Sequence, residues 1–426
     1  MGMLHLQKTL NHFGLREILL SVFCFLPISI IIGKAALNIN IIIFDIIILI
    51  YFFKNKKLIN SEISGQLIIF LCFIIILFLN LFFSENLELS IRGFLGLSKN
   101  IIFCIGLIFF INYEDIKKFF SPVIILCIFF VIINIYLQYF FGEDLFGNKS
   151  VGQNRSTAVF GNQIPGSYIL KFFFLGLTFS ILNNKTLANL LLISIFTSAV
   201  IVTNERMPII NIIFFSTLFL FLFPKISLSK KILSLFFYFI VCISVYNLPA
   251  HNTIHEKNSE KLYENLISRT IKQFESQTNN GDVLNLYWFQ HFRAANDLFK
   301  DNFIIGSGIK TYRYSCPLRQ LEKDKILQLA CNIHPHNLYL EIVSETGILG
   351  LLLISFVLIK LIIRFISLYI HDEKKRYELL LIALPVFMLF NPLQFTGSFF
   401  STFSGFFFFL ILGVAINYIK NYSNTK

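Results

Sequence analysis

The sequence predicts an all-α, polytopic membrane protein, and three observations support that fold class. Of the 426 residues, 56% are hydrophobic and only 14% are charged, whereas soluble domains carry about 25% charged residues. The mean hydropathy is +0.72. Apolar segments of roughly 17 to 25 residues, long enough to cross a hydrocarbon core about 30 Å thick, recur along the chain.

We expect about twelve transmembrane helices, about nine of them in residues 1–248 and about three in residues 338–426. One larger, mainly helical outer loop over residues 249–337 separates the two groups. In chain order, the predicted spans lie near 16–33, 35–53, 66–84, 94–112, 119–141, 165–182, 187–203, 208–223, 231–248, 338–363, 378–394 and 401–419.

The distribution of Lys and Arg predicts the orientation of these spans, because cations favour short cytoplasmic loops. Positive clusters fall in alternate connections, at residues 54–57, 117–118, 225–231 and 364–376. Both termini are therefore expected in the cytoplasm, and the loops near 142–164 and over 249–337 on the outer side. These flanks explain most of the net charge of +12, so it does not indicate a nucleic-acid surface. No small-residue cleavage pattern follows the first apolar run, which we interpret as a retained span.

Two of the seven cysteines, Cys316 and Cys331, lie in the larger outer loop, and the other five lie in apolar spans. In an oxidising compartment the pair could form a disulfide worth about 3 kcal/mol, and two free thiols are the alternative. No cysteine or histidine spacing predicts a zinc site. No nucleotide-binding fingerprint appears either, so no metal and no cofactor is expected.

The stretch "NIHPHNLYLEIVSETGILG", residues 332–350, places polar groups at the mouth of a predicted span. Asn337, Glu341 and Glu345 share one helical face at four-residue spacing. Carboxylates at membrane depth are costly, so we expect these two either to pair with an arginine or histidine or to act in catalysis. Gly347 and Gly350 are expected to allow close packing of a neighbouring element.

His336 is the strongest candidate for chemistry, with His334 beside it. Histidine accepts a proton near neutral pH and suits general base work on a hydroxyl. A helix cap or a hydrogen-bonded surface residue is the alternative.

Three arginines on the predicted outer side are candidates for binding an anionic headgroup such as a diphosphate, because guanidinium grips phosphate oxygens bidentately. Arg155 lies in the loop near 142–164, Arg206 in the turn "TNERMPI", and Arg293 in "YWFQHFRAANDLFKDNFIIGSGIKTY". The alternatives are that Arg206 snorkels or pairs with Glu205, and that Arg293 pairs with Asp297 one helical turn later.

The segment "HPHNLYLEIVSETGILG" has the pattern His-Asn, nine residues, then Gly-x-x-Gly, and resembles the signature of the O-antigen ligase and O-antigen polymerase superfamily of bacterial inner membranes. The upstream "FRAANDLFKDNFIIGSG" is similar to that family's Arg-bearing helix and Gly-x-Gly turn. In "NER", glutamate replaces the small residue that more usually precedes the family's arginine.

The resemblance implies a fold like the GT-C glycosyltransferases and a function that needs neither metal nor nucleotide. Such enzymes transfer glycan from undecaprenyl diphosphate to an acceptor sugar on the periplasmic face. His336 would match the essential histidine, Arg206 and Arg293 the arginines that engage the diphosphate, and Arg155 is a looser match. The expected partners are the carrier-linked glycan, lipid A-core and membrane lipid, with no nucleic acid and no nucleotide.

An O-antigen ligase with lipid A-core as acceptor is the leading hypothesis, and three alternatives stay open at this point. An O-antigen polymerase would use the same donor and a carrier-linked acceptor. A protein O-oligosaccharyltransferase is disfavoured because no extramembrane domain is seen after the last span. A transporter or flippase would instead use Asp45, Lys171 and the two glutamates to line a pathway.

Overall fold

The computed structural model describes residues 14–54, 61–150, 155–160, 170–171, 186–223, 226–248, 266–278, 286–323, 331–373, 376–391 and 397–424. No β-strand occurs among these residues, and the all-α prediction is confirmed for them. The helices are α1 (Gly14–Ile32), α2 (Lys34–Lys54), α3 (Ser61–Phe82), α4 (Leu87–Phe110), α5 (Tyr113–Phe141), α6 (Thr186–Val202), α7 (Arg206–Leu222), α8 (Leu228–Tyr246), α9 (Leu266–Gln277), α10 (Tyr287–Asp301), α11 (Tyr312–Lys323), α12 (Leu338–His371), α13 (Arg376–Leu389) and α14 (Thr402–Asn424).

Within the described residues, seven helices are long and apolar enough to cross a membrane, namely α1, α2, α4, α5, α8, α12 and α14. The protein is therefore a multi-pass membrane protein, but the count of about twelve spans is not confirmed. Three of the other predicted spans are shorter apolar helices, Leu67–Phe82, Ala188–Val202 and Arg206–Leu222. The span expected over 378–394 corresponds to α13, which has only 14 residues and contains Pro385. The span expected near 165–182 falls almost entirely outside the described residues.

The chain forms two compact units, each built from segments that are distant in sequence. Unit 1 comprises Met1–Val123, Tyr287–Arg364 and Phe395–Lys426, and unit 2 comprises Ile124–Leu286 and Phe365–Gln394. The predicted division into residues 1–248, 249–337 and 338–426 describes how the chain is expected to cross the membrane, and it stays a prediction. The described part of the predicted outer loop consists of α9, α10, α11, the turn between α10 and α11, and residues 331–337.

Helix α4 is the centre of unit 1 and packs against α2, α3 and α14. Glycines allow these close approaches. A Cβ on Gly106 would lie 2.7 Å from a side-chain carbon of Ile48 on α2, and one on Gly413 of α14 would lie 2.8 Å from Leu107. The buried amide of Asn417 donates to the carbonyl oxygens of Leu107 and Ile111, both at 2.6 Å. These contacts fix α14 against the end of α4.

Unit 2 is a smaller bundle in which α6, α7 and α8 pack on one another and α13 packs on α7. Thr197 of α6 and Tyr238 of α8 are buried and hydrogen-bonded, with 3.1 Å between their hydroxyl oxygens. The ring of Phe223, directly after α7, packs edge-on against Tyr377 of α13. Polar contacts between apolar helices of this kind give the bundle a defined register.

Candidate functional site

His336 lies directly before the first turn of α12, in the left-handed backbone region, with a φ of 57°. Histidine is enriched among the few non-glycine residues that adopt this conformation. The next residue, Asn337, caps the helix, since its Oδ1 accepts the backbone N–H groups of Tyr339 at 3.0 Å and Leu340 at 3.2 Å. Asn337 therefore satisfies the helix N-terminus, and the imidazole of His336 is not the cap.

The His336 ring is surrounded by other rings and by one amide. Ring centroids lie 4.2 Å from His334, 5.2 Å from His291 and 5.4 Å from Trp288. The last two residues are one helical turn apart on α10, so one face of that helix packs against the imidazole. The amide nitrogen of Asn332 lies 3.2 Å from Nε2 of His336. The structure thus places the rings of His334 and His336 side by side.

Burial lowers the pKa of His336 below its ordinary value of 6.5, because the half-buried ring loses part of the hydration that stabilises imidazolium. The ring is therefore neutral at neutral pH. A neutral imidazole has one nitrogen with a free electron pair, which is the form that a general base requires.

Glu345 is fully buried in α12 and binds backbone groups. Its Oε2 accepts the N–H of Lys310 at 2.5 Å and its Oε1 accepts the N–H of Tyr312 at 3.1 Å. The second of these donors belongs to the first residue of α11, where N–H groups have no partner within the helix. The carboxylate therefore holds the start of α11 against α12.

Glu341, one turn earlier on the same face, has the same kind of role towards another segment. Its Oε1 accepts the hydroxyl of Ser398 at 2.5 Å and its Oε2 accepts the N–H of Phe399 at 2.6 Å. Of the two roles expected for these carboxylates, the ion pair with an arginine or histidine does not form among the described residues. Serine and backbone donors satisfy them instead.

Helix α12 is broken at Gly347, which has φ 66° and ψ −170°. The segment after α10 supplies the hydrogen bonds that the break removes. The N–H groups of Ile348 and Leu349 donate to the carbonyls of Phe303 and Ile304, at 2.9 and 3.4 Å. Two backbone donors at this point of an apolar helix are thus satisfied by another segment.

Backbone hydrogen bonds between α12 and the segment after α10 also run in the opposite direction. The carbonyls of Ser344 and Glu345 accept the N–H groups of Ser307 and Gly308, at 3.0 and 3.1 Å. The Gly-x-Gly turn over residues 306–308 therefore pairs with the broken turn of α12, and Asn80 of α3 completes the junction. Its amide nitrogen donates to the carbonyls of Ile305 at 2.7 Å and Glu345 at 2.9 Å.

Glycines are required at this junction because there is no room for a Cβ atom. A Cβ on Gly347 would overlap the carbonyl of Ile304, and one on Gly306 would lie 2.5 Å from the backbone nitrogen of Gly347. Both also have positive φ values, which side chains rarely adopt. Close packing, expected for Gly347, is present, but the neighbour is a turn of the chain. A Cβ on Gly350 would meet only Thr346 of its own helix.

A disulfide joins Cys316 of α11 to Cys331, with 5.6 Å between their Cα atoms. It lies beside a small buried cluster made by α10 and α11, with Ala295, Leu298 and Tyr312. Cys331 directly precedes Asn332, so the disulfide attaches the polar loop before α12 to a packed core.

The three candidate arginines fall in different units. Arg293, on α10 of unit 1, is exposed and forms no ion pair with Asp297 in the structure. It lies on the same helix as Trp288 and His291, which touch His336, but on another face.

Arg155 and Arg206 belong to unit 2, and their positive charges act on each other. Nε of each guanidinium is buried and has no hydrogen-bond partner among the described residues. Arg206 donates from Nη1 to Gln273 at 2.5 Å, and the alternative ion pair with Glu205 does not form. Two like charges with unused donors are the arrangement that an anion stabilises.

Sequence reasoning did not single out Asn332, His291 or Asn80. Asn80 carried a usable signal, because a polar side chain inside an apolar span generally has a partner or a function. Asn332 and His291 gave no signal in the sequence, since their positions beside His336 depend on the disulfide and on the packing of α10. Among the described residues, no group of three or more His, Cys, Asp or Glu side chains is arranged to hold a metal ion.

Comparison with known families adds one finding. Residues 190–355 match the family model described as O-antigen ligase. The matched region includes Arg206, Arg293 and His336, while Arg155 lies before it. The match supports the O-antigen ligase and polymerase superfamily, whose members are glycosyltransferase-like enzymes, and agrees with the resemblance of the motif before and within α12. No curated protein matches the chain.

Proposed function

We propose that this protein, whose residues 190–355 match the O-antigen ligase family, is a glycosyltransferase that moves glycan from undecaprenyl diphosphate to lipid A-core. The reaction takes place on the periplasmic face of the bacterial inner membrane and uses neither metal nor nucleotide. The observation that carries the proposal is the neutral, half-buried imidazole of His336 at the N-terminus of the transmembrane helix α12.

In the proposed reaction, His336 acts as general base. The acceptor hydroxyl attacks the anomeric carbon of the donor sugar, and the bond from that carbon to the diphosphate oxygen breaks with its electron pair. The hydroxyl proton moves to the free nitrogen of the imidazole and then to solvent. Because the diphosphate is already a good leaving group, positioning, proton removal and charge stabilisation suffice.

Arginines are proposed to bind the diphosphate. Arg155 and Arg206 support this role, because each has a buried Nε donor without a partner among the described residues and each opposes the charge of the other. An anion with several oxygens would satisfy the donors and remove the repulsion. The same role is proposed for Arg293, whose exposed guanidinium forms no ion pair with a described residue.

The remaining polar residues are proposed to support the site and not to react. Asn337 caps α12, and Glu341 and Glu345 hold the segments at Phe399 and Tyr312 against it. A transporter pathway is disfavoured by these contacts, because carboxylates that line a pathway must face a wet cavity. Both glutamates are 1% exposed and bind fixed donors.

The test is a reaction of purified protein with carrier-linked glycan and lipid A-core. Glycan attached to lipid A-core is the expected product. Longer glycan on the carrier would instead identify an O-antigen polymerase, and glycan on protein an O-oligosaccharyltransferase. In cells lacking the protein, a ligase predicts loss of every ladder band of lipopolysaccharide with accumulation of carrier-linked polymer. A polymerase predicts a single repeat attached to the core.

A further inference from the structure

The hydrogen bonds of Asn332 determine which nitrogen of His336 carries the proton. Oδ1 of Asn332 accepts the backbone N–H of Ile333 at 2.7 Å, and a backbone N–H can only donate. This contact orients the amide, so the group 3.2 Å from Nε2 of His336 is the Nδ2 amino group. An amide nitrogen can only donate, and Nε2 must therefore be the acceptor. The neutral ring then carries its proton on Nδ1.

The same contact covers the nitrogen that a general base uses. An amide N–H and an attacking hydroxyl need the same acceptor, because each donates a hydrogen bond to the single free electron pair of Nε2. Both cannot occupy it together. The Asn332 amide thus lies where the hydroxyl of an acceptor, or a water molecule in its absence, would bind.

Water is a competing nucleophile in any transfer from an activated donor. If water gave its proton to Nε2, its oxygen would bond to the anomeric carbon, and the bond from that carbon to the diphosphate would break. The products would be free glycan and carrier diphosphate, and the donor would be wasted. Exclusion of water from such sites prevents this side reaction.

We propose that Asn332 is a positioning and specificity-determining residue for His336. It holds the ring in the Nδ1-protonated tautomer and occupies Nε2 until a bound acceptor hydroxyl displaces the amide, so that water alone is not activated. The inference rests on the proposed function for its second part, and the tautomer can be tested without any substrate.

The disulfide and the cap fix both ends of the loop that carries these residues. Cys331, next to Asn332, is bonded to Cys316 of α11, and Asn337, next to His336, caps α12. The left-handed backbone of His336 turns the ring back towards Asn332 between these two anchors. A strained backbone at a reactive side chain is typical of a functional site.

The first experiment measures the tautomer by 15N NMR of the protein labelled at histidine. His336→Ala identifies the ring signals by their loss. We expect a protonated Nδ1 and an unprotonated Nε2 in the wild type at neutral pH. Asn332→Asp, which places an acceptor at Nε2, should move the proton of the neutral ring to that nitrogen, as seen at a pH above its raised midpoint. A wild-type ring protonated on Nε2 would overturn the inference, whether or not the protein transfers glycan.

The second experiment compares transfer with donor hydrolysis. Asn332→Ala uncovers Nε2, and the ratio of released glycan to transferred glycan should rise about two- to tenfold, the range of one neutral hydrogen bond. An unchanged ratio would contradict the water-exclusion role. If instead the wild type, with the expected tautomer, transfers no glycan, the proposed function fails and the assignment of Asn332 to the tautomer stands.

The pH titration of the His336 ring, followed by the same 15N signals, gives a third readout that a loss of packing would not produce. Two other titratable rings face His336, His291 from α10 and His334 from the same loop, and both are present in every variant used. In Asn332→Asp the carboxylate favours imidazolium, so the midpoint of this titration should move upward by about 1 to 3 pH units. Asn247→Asp is the matched control, since Asn247 is exposed after α8 and its side-chain amide donates to the Ile243 carbonyl. A midpoint that moves equally in both variants contradicts the proposal.

Discussion

The carboxylate of Glu345 binds the backbone N–H of Tyr312, 33 residues earlier in the chain, at 3.1 Å. Through this bond and the one from the N–H of Lys310, a buried carboxyl group of α12 holds the N-terminus of α11. Since α11 also carries Cys316, whose disulfide reaches the loop before His336, the contact contributes to the position of the imidazole. The buried polar groups of α12 are thus part of the structure that positions this imidazole.

Glu345→Gln should destabilise the protein more than Glu341→Gln. Both oxygens of Glu345 accept backbone N–H groups, which cannot reverse their direction, so the new amide would face a donor. At Glu341 the Ser398 hydroxyl can turn and accept from the amide, while Phe399 keeps its acceptor. We expect a difference of about 1 to 3 kcal/mol, the cost of one unsatisfied buried donor. Thermal unfolding in detergent measures it, and equal melting temperatures would contradict this account of the two carboxylates.

Gly347→Ala should be strongly destabilising. The new Cβ would overlap the Ile304 carbonyl, and the residue would keep a φ of 66° that alanine disfavours. Gly96→Ala in α4 is the matched control, because nothing lies within 4 Å of a Cβ there. The control should be neutral or stabilising by up to about 1 kcal/mol, the helix-propensity difference. Similar melting temperatures for the two variants would argue against the broken-helix junction.

Alkylation under denaturing conditions should modify five of the seven cysteines before reduction and all seven after it, since only Cys316 and Cys331 are joined. Cys316→Ser should lower stability by about 3 kcal/mol and also reduce glycan transfer, because the loop before α12 loses an anchor. Seven modified thiols without reduction, read by intact mass, would show that the bond is absent.

Arg206→Lys should weaken binding of the donor, because lysine keeps the charge and loses the fork of donors that suits a diphosphate. Its KM for carrier-linked glycan should rise while the fold is preserved. Arg92→Lys is the control, since Arg92 is exposed and pairs with Glu88 one turn away on α4. Equal KM values for the two variants would contradict bidentate binding of the diphosphate by Arg206.

The acidic limb of the pH–rate profile should have its midpoint below about 6.5, the ordinary pKa of histidine. Burial lowers the pKa of His336, so the base stays neutral as the pH falls through 6.5 and is protonated only below it. Activity is therefore kept at mildly acidic pH and lost at lower pH. A midpoint above 6.5 would show that a neighbouring anion, and not burial, controls this ring.

Much of the fold could be predicted from the sequence. Composition and apolar runs of about 20 residues indicate membrane helices directly, and Asn337, Glu341 and Glu345 lie on one face of α12 as their spacing indicated. The number of spans was harder, because an apolar run does not show where a helix ends. In α13 the helix ends at Leu389, and α6 and α7 have 17 residues each.

The environment of the candidate site could be predicted only in part. The motif identified His336, but its neighbours Asn332, His291 and Trp288 come from a loop and a helix whose packing depends on long-range contacts. The pairing of the 306–308 turn with the break at Gly347 was likewise invisible, because the glycines show only that something approaches closely. Backbone hydrogen bonds between segments leave no pattern in residue types.

The most direct test of the central claim is glycan transfer by His336→Ala, measured with purified protein, carrier-linked glycan and lipid A-core. His371→Ala, an exposed histidine in the last turn of α12, is the control and should transfer glycan at the wild-type rate. We predict that His336→Ala loses at least about 100-fold in rate, as expected for removal of a general base, while its melting temperature stays close to that of the control. A folded His336→Ala protein that transfers glycan at the wild-type rate would contradict the claim.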